Sequence, residues 1–304
     1  EAIDRRLSRA WVERYLLQPN DLRPHLAMTM PRLAMTPADA RDIAAYLVPT
    51  PEPATPASVT KNADLGKGRQ LMEARGCAVC HELTGVARIA VTSPPSVDGR
   101  DLDRGRRLGP DLRYTRERMS AAKLAAWLTD PKAIKPDTAM PRVTSTPDEV
   151  RDLAAYILEV ELAPLPSPRP VQRLPILGRK VTFQEVDEKV FHRTCWHCHS
   201  EPDYAIGDGG PGNSGGFGFK PRGLNLSDYG GIAAGYIDDK GERASVFLKD
   251  AESVPRLVRA LLARHEEERG AETGPVRGMP LGYPPLPLED IQLVETWIAQ
   301  GRPR

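Results

Sequence analysis

The chain has 304 residues, enough for two or three domains, yet only 6% are aromatic while 30 are proline and 25 glycine. That is little bulk for large self-sufficient cores. The net charge is +1: residues 59–163 carry 17 basic and 15 acidic side chains, residues 164–182 four basic and no acidic ones, and residues 183–304 14 basic and 19 acidic ones. This excludes the clustered basic footprint of a nucleic-acid binder. It suits docking through local charge patches, where complementarity mainly sets the association rate. No apolar run reaches the length needed to span a bilayer. The chain opens without a secretory signal, so Glu1 is expected not to be the start of translation.

Two proline-rich stretches, residues 49–56 and 164–170, read as stiff extended linkers. They divide the chain into residues 1–48, 59–163 and 176–304. The first segment repeats part of the second. Prolines 19 and 24 have the spacing of prolines 131 and 136, and residues 30–47 align with residues 140–157 at a constant offset of 110.

The middle segment reads as a series of helices. Residues 64–75 form the first, with Leu65, Leu71 and Met72 on one side. Gly68 in its middle is unfavourable relative to alanine and implies a second helix crossing closely there. Gly76 ends it, and Cys77-Ala-Val-Cys80-His81 follows. A loop rich in Gly, Pro, Asp and Arg is expected over residues 84–107, then Leu108-Gly109-Pro110. Ser120 caps a helix through Trp127 and Leu128, stopped by Asp130-Pro131. A proline-marked loop over residues 132–141 contains Met140. Thr146-Pro-Asp-Glu149 is a capping-box pattern opening a helix to about Val160. Its apolar face is Val150, Leu153, Ala154, Ile157 and Leu158.

The last segment follows the same plan. A helix over residues 183–193 leads into Cys195-Trp-His-Cys198-His199, with Val186 at the place of Gly68. A glycine-rich loop over residues 207–218 follows, then Leu224–Tyr229, a helix over residues 253–269, Gly278-Met279-Pro280 and a helix over residues 288–300. His192 and His197 read as surface or packing residues, and His265-Glu-Glu-Glu268 as a solvated helix face.

The Cys-x-x-Cys-His pattern, present twice and using all four cysteines, carries the chemistry. Two thiols at this spacing can form thioether bonds to the vinyl groups of a haem, and the next histidine then falls under the iron. A Cys-x-x-Cys alone would also suit a redox dithiol or half a zinc site.

The order helix, Cys-x-x-Cys-His, Gly-Pro, helix, Met-Pro, terminal helix resembles the class I cytochrome c domain over residues 62–160. The resemblance implies an all-α fold of tandem class I cytochrome c-like domains joined by the proline-rich linkers. Residues 1–48 would be the carboxy-terminal half of one such domain, residues 59–163 a whole one, and residues 176–304 one with enlarged loops. It implies haem c at Cys77 and Cys80 and at Cys195 and Cys198. His81 with Met140, and His199 with Met279, would be the axial ligands, with His265 as an alternative to Met279. The carbonyl of Pro110 would accept the second ring N–H of His81, Trp127 would pack on the haem with a possible bond to a propionate, and Gly68 would meet Tyr156. Methionine is soft and neutral, and His/Met ligation raises the potential.

By the internal repeat, Met30 would ligate a third haem whose attachment motif precedes Glu1, with Met28 as the fallback. Without that missing half, Trp11, Leu16, Ile43 and Leu47 would lack cover. The implied function is electron transfer between a respiratory or photosynthetic donor and an acceptor, without substrate chemistry. The alternative is a dihaem enzyme of the peroxidase or thiosulfate dehydrogenase type. A purely structural haem protein in a larger assembly is the third reading. Partners would be redox proteins or subunits of a membrane electron-transfer complex, with no nucleic acid. The place would be the periplasm or the outer face of the cytoplasmic membrane, reached only through a partner or a segment outside these residues.

Overall fold

A computed structural model describes residues 3–20, 22–26, 30, 32–33, 35–50, 59–92, 99–144, 146–167, 170–201, 221–269 and 276–304. Helices dominate it, as expected for the all-α class, and the described strands are a single two-residue antiparallel pair. No helix is long and apolar enough to cross a membrane among the described residues. The chain forms two compact units, Glu1–Ser167 and Pro168–Arg304.

The first unit begins with helix α1 (Arg9–Leu17) and helix α2 (Pro37–Leu47). Ser8 caps α1 by accepting the Trp11 N–H. Thr36 and Asp39 form a reciprocal capping box on α2. The two helices close a small core of Trp11, Val12, Ala44 and Val48, with Trp11 stacked on Tyr15 at 4.6 Å. Trp11 is therefore covered, at 6% exposure, by its own segment.

Helices α3 (Leu65–Ala74), α4 (Gly99–Leu108), α5 (Thr115–Arg118), α6 (Ala121–Thr129), α7 (Pro131–Ile134) and α8 (Pro147–Glu159) follow. The caps of the repeat recur: Ser120 on α6 and Thr146 on α8 stand where Ser8 and Thr36 stand. Helix α3 crosses α8 at Gly68 as expected. A Cβ there would sit 2.3 Å from the Asp152 carbonyl oxygen and 2.6 Å from Tyr156 Cβ. The crossing leaves Tyr156 at 3% exposure and Leu153 at 1%, whereas their repeat equivalents on α2, Tyr46 and Ile43, stand at 85% and 38%. Met72 faces the core at 0% exposure, while Leu65 lies outside it at 39%.

The expected loop over residues 84–107 is corrected in its second half, where α4 forms. No residue of this helix is buried, so no apolar stripe announces it. Asp101 in its first turn and Arg106 and Arg107 in its last complement the helix dipole instead. Helix α7 is likewise a short turn within the loop expected at residues 132–141; Asp130 caps it by accepting the Ala133 N–H.

Residues 3–26 are tied to the middle segment through the backbone. Ser8 N–H donates to the Arg118 carbonyl at 2.8 Å, and Asp111 N–H to the Leu22 carbonyl at 2.7 Å. Lys123 Nζ donates to the Leu7 carbonyl at 2.7 Å, and Arg14 pairs with Glu117 at 2.7 Å.

The second unit contains helix α9 (Phe183–Val186), α10 (Tyr229–Ala234), strands β1 (Tyr236–Ile237) and β2 (Arg243–Ala244), α11 (Arg256–Glu268) and α12 (Leu288–Ala299). Helix α9 continues as a π-helix over Asp187–Cys195 rather than as the expected α-helix. Trp196 N–H reaches the Phe191 carbonyl five residues back at 3.0 Å, and both Val190 and Phe191 are fully buried. Val186 is also fully buried, so at the place of Gly68 a branched side chain fills space instead of allowing close approach. The core is centred on Trp297, whose ring is met by Phe183, Phe191, Tyr229 and Phe247 at 5.8–6.1 Å. The glycine-rich stretch at residues 207–218 lies outside the described residues.

Candidate haem centres

Both Cys-x-x-Cys-His motifs fold into the same tight turn. Cys80 N–H donates to the Cys77 carbonyl at 3.1 Å and His81 N–H to the same oxygen at 2.9 Å. The second motif repeats this with Cys198 and His199 on the Cys195 carbonyl, at 3.3 and 3.0 Å. Burial pushes the Cys77 thiol up to about 11 and the Cys195 thiol to about 12. Reactive dithiols need the opposite shift. Among the described residues no group of three His, Cys, Asp or Glu side chains is placed to hold a metal ion.

His81 is oriented from behind. Its Nδ1 lies 2.8 Å from the Pro110 carbonyl oxygen. A carbonyl can only accept, so Nδ1 carries the proton and Nε2 keeps its lone pair for a metal. Burial pushes the imidazole towards its neutral form, with the Pro110 bond opposing. The Gly109-Pro110 turn reaches this position because Gly109 has no side chain: a Cβ there would lie 1.9 Å from the Cys80 carbonyl oxygen. Asp111, 7% exposed, pins the turn by accepting the N–H groups of Thr84 and Arg113 at 3.1 and 2.9 Å. Leu112 N–H donates to the Glu82 carbonyl at 2.8 Å.

Met140 is half-buried at the margin of the middle core. The indole Nε1 of Trp127 donates to its Sδ at 2.9 Å. Trp127 was expected to pack on the haem and reach a propionate; in this structure its donor is directed at the thioether. With that sulfur on a haem iron, as the sequence reading expects, such a bond would draw electron density from it and favour the reduced state. Trp127→Phe is therefore expected to lower the potential of this centre by about 20–60 mV, the equivalent of one ordinary hydrogen bond. A potentiometric titration of the variant against the parent checks it; an unchanged potential would leave Trp127 as packing only.

In the second unit His199 Nδ1 lies 3.3 Å from the Leu224 carbonyl, and Leu226 N–H donates to the His199 carbonyl at 2.7 Å. Leu224 thus does for His199 what Pro110 does for His81. Nothing in the sequence singles out this carbonyl, since every residue carries one. Met279, half-buried against the core, is fixed by its N–H on the Ala260 carbonyl at 2.8 Å. The preceding Gly278 N–H donates to Glu267 Oε1 at 2.8 Å. Glu267 is 3% exposed and packs beside Arg264 at 2%, so the expected solvated face at residues 265–268 is corrected: Glu267 turns inward to hold the methionine loop. Arg264 Nε holds the far side of that loop through the Tyr283 carbonyl at 2.8 Å. His265 Nε2 sits 2.7 Å from the Leu286 carbonyl, which accounts for one of its ring nitrogens. His192 is exposed and His197 stacks on Trp196 at 4.2 Å, both as surface or packing residues. Met30 is half-buried, and Met28 lies outside the described residues.

The family model for cytochrome c matches residues 65–161. This part of the chain is a cytochrome c domain. Comparisons with curated proteins and with solved structures found no match. A cytochrome c domain carries covalently bound haem c and serves haem-based electron transfer. The residues of the middle domain fit that group: a histidine oriented through Nδ1, two thiols on one turn, and a guanidinium, that of Arg118, whose buried Nε has no hydrogen-bond partner among the described residues. Bound there, the haem supplies one-electron chemistry. Cys77 and Cys80 would hold it covalently, His81 and Met140 would ligate its iron, and the Pro110 carbonyl would fix the ring of His81.

Proposed function

We propose that the chain is an electron carrier with a haem c at each Cys-x-x-Cys-His motif, His81 and Met140 ligating the first iron and His199 and Met279 the second. The observation that carries this is the shared geometry: in both units the histidine's Nδ1 faces a backbone carbonyl, and a Met-Pro segment is held by specific bonds of its own. Two methionine-closed irons leave no open position for substrate, which favours transfer over catalysis. Electrons would pass between a respiratory or photosynthetic donor and an acceptor. The partners would be redox proteins or subunits of a membrane complex, met in the periplasm or on the outer face of the cytoplasmic membrane. The repeat adds a third haem ligated by Met30, on a segment whose α2 face leaves Ile43 and Tyr46 exposed.

The test is spectroscopic. The haem-loaded protein is expected to give two covalently bound haems per chain, each with a methionine–iron band in the oxidised state. Loss of that band from one haem together with peroxide turnover would replace this reading with a dihaem enzyme.

A further inference from the structure

Three guanidiniums gather beside the middle centre, two of them from residues 1–48. Arg118 and Arg6 are half-buried, and Arg23 stands exposed at the rim. The Nε atoms of Arg118 and Arg6 are buried without a hydrogen-bond partner among the described residues. Both segments that bring the outer arginines in are anchored next to the site. Ser8, two residues after Arg6, is bonded to the Arg118 carbonyl, and Leu22, next to Arg23, accepts the N–H of Asp111, which follows Pro110. The Arg6 guanidinium lies over Trp127, 5.9 Å from the ring centroid, and Trp127 in turn bonds Met140. Burial, with Arg23 and Arg6 close by, pushes the Arg118 guanidinium down to about 10, and Tyr15 and Asp111 only partly oppose this. Arg118 is also near enough to act electrostatically on His81.

Two partly enclosed like charges with unmade hydrogen bonds, as at Arg118 and Arg6, are unfavourable unless an anion joins them. The cluster reaches the site from two sides: Arg118 acts on His81, and Arg6 lies over Trp127, whose indole bonds Met140. A haem bonded to Cys77 and Cys80 through its vinyl edge carries its two carboxylates on the opposite edge. We infer that Arg118, Arg6 and Arg23 form a cradle for those two carboxylates, so that residues 1–48 help neutralise the cofactor of the domain that follows them. Charge-assisted bonds from guanidinium to carboxylate suit this pairing. The inference rests on the reading that haem is attached at Cys77 and Cys80.

Positive charge near the iron disfavours the oxidised state and keeps the carboxylates ionised. In the haem-loaded full chain, Arg6→Gln and Arg23→Gln are expected to lower the potential of the middle haem. They should also make it fall with rising pH across the neutral range, where the parent is nearly flat. Arg6→Lys should retain most of the parent behaviour. Arg23 is exposed, so Arg23→Gln reads the charge without disturbing packing. Attached haem with an unchanged potential and pH profile in both glutamine variants would overturn the cradle alone. A parent potential that responds to inorganic phosphate, with the response abolished in Arg6→Gln, would show a free-anion site and overturn it too. Absence of covalent haem at Cys77 and Cys80 in the parent would overturn the underlying reading and the cradle with it.

Discussion

Met140→Ala is expected to leave the middle haem covalently attached, because Cys77 and Cys80 are untouched, while lowering its potential by about 0.2 V, a fraction of the ≈0.8 V range that axial ligation commands. It should also open the iron to carbon monoxide. The thioether is the soft, neutral donor that favours the reduced state, and alanine has nothing to offer in its place. Redox titration and carbon monoxide difference spectra check both halves. An unchanged potential would move the sixth ligand elsewhere, and Met279→Ala in the second unit serves as the matched comparison. Cys77→Ser separates attachment from ligation: it should weaken retention of the middle haem and loosen the core that packs around Cys77 and Met140.

Gly68→Ala should destabilise the first unit by about 3 kcal/mol, at the upper end of what overpacking usually costs. The sign is informative. In an exposed helix the same change stabilises by about 1 kcal/mol. Here the new Cβ would lie 2.3 Å from a backbone oxygen of α8, which cannot swing away as a side chain can. Helix α3 would have to retreat, and it leads directly into Cys77. Gly99→Ala, where nothing among the described residues lies within 4 Å, is the control and should be near neutral. Denaturant unfolding of both variants decides it; equal stabilities would mean that the crossing relaxes freely.

The sequence alone determined the two Cys-x-x-Cys-His turns and the chemistry they allow. Cysteine and histidine are rare here, and their spacing is itself the geometry that attachment would need. It also determined the caps, since Ser8, Thr36, Ser120 and Thr146 each act on the N–H three residues on. The close crossing at Gly68 could be read because glycine in mid-helix has few other reasons to be there. Tertiary structure alone decided which partners lie far apart in the chain. The Leu224 carbonyl behind His199, the inward turn of Glu267, the Trp127 bond to Met140 and the gathering of Arg6, Arg23 and Arg118 leave no local signal. A backbone carbonyl looks the same at every position. Whether a charged side chain meets water or the interior depends on which distant element packs over it. Helix α4 escaped for a related reason: with no buried face, it follows from its end charges and from its place beside Cys80, neither of which is an apolar period.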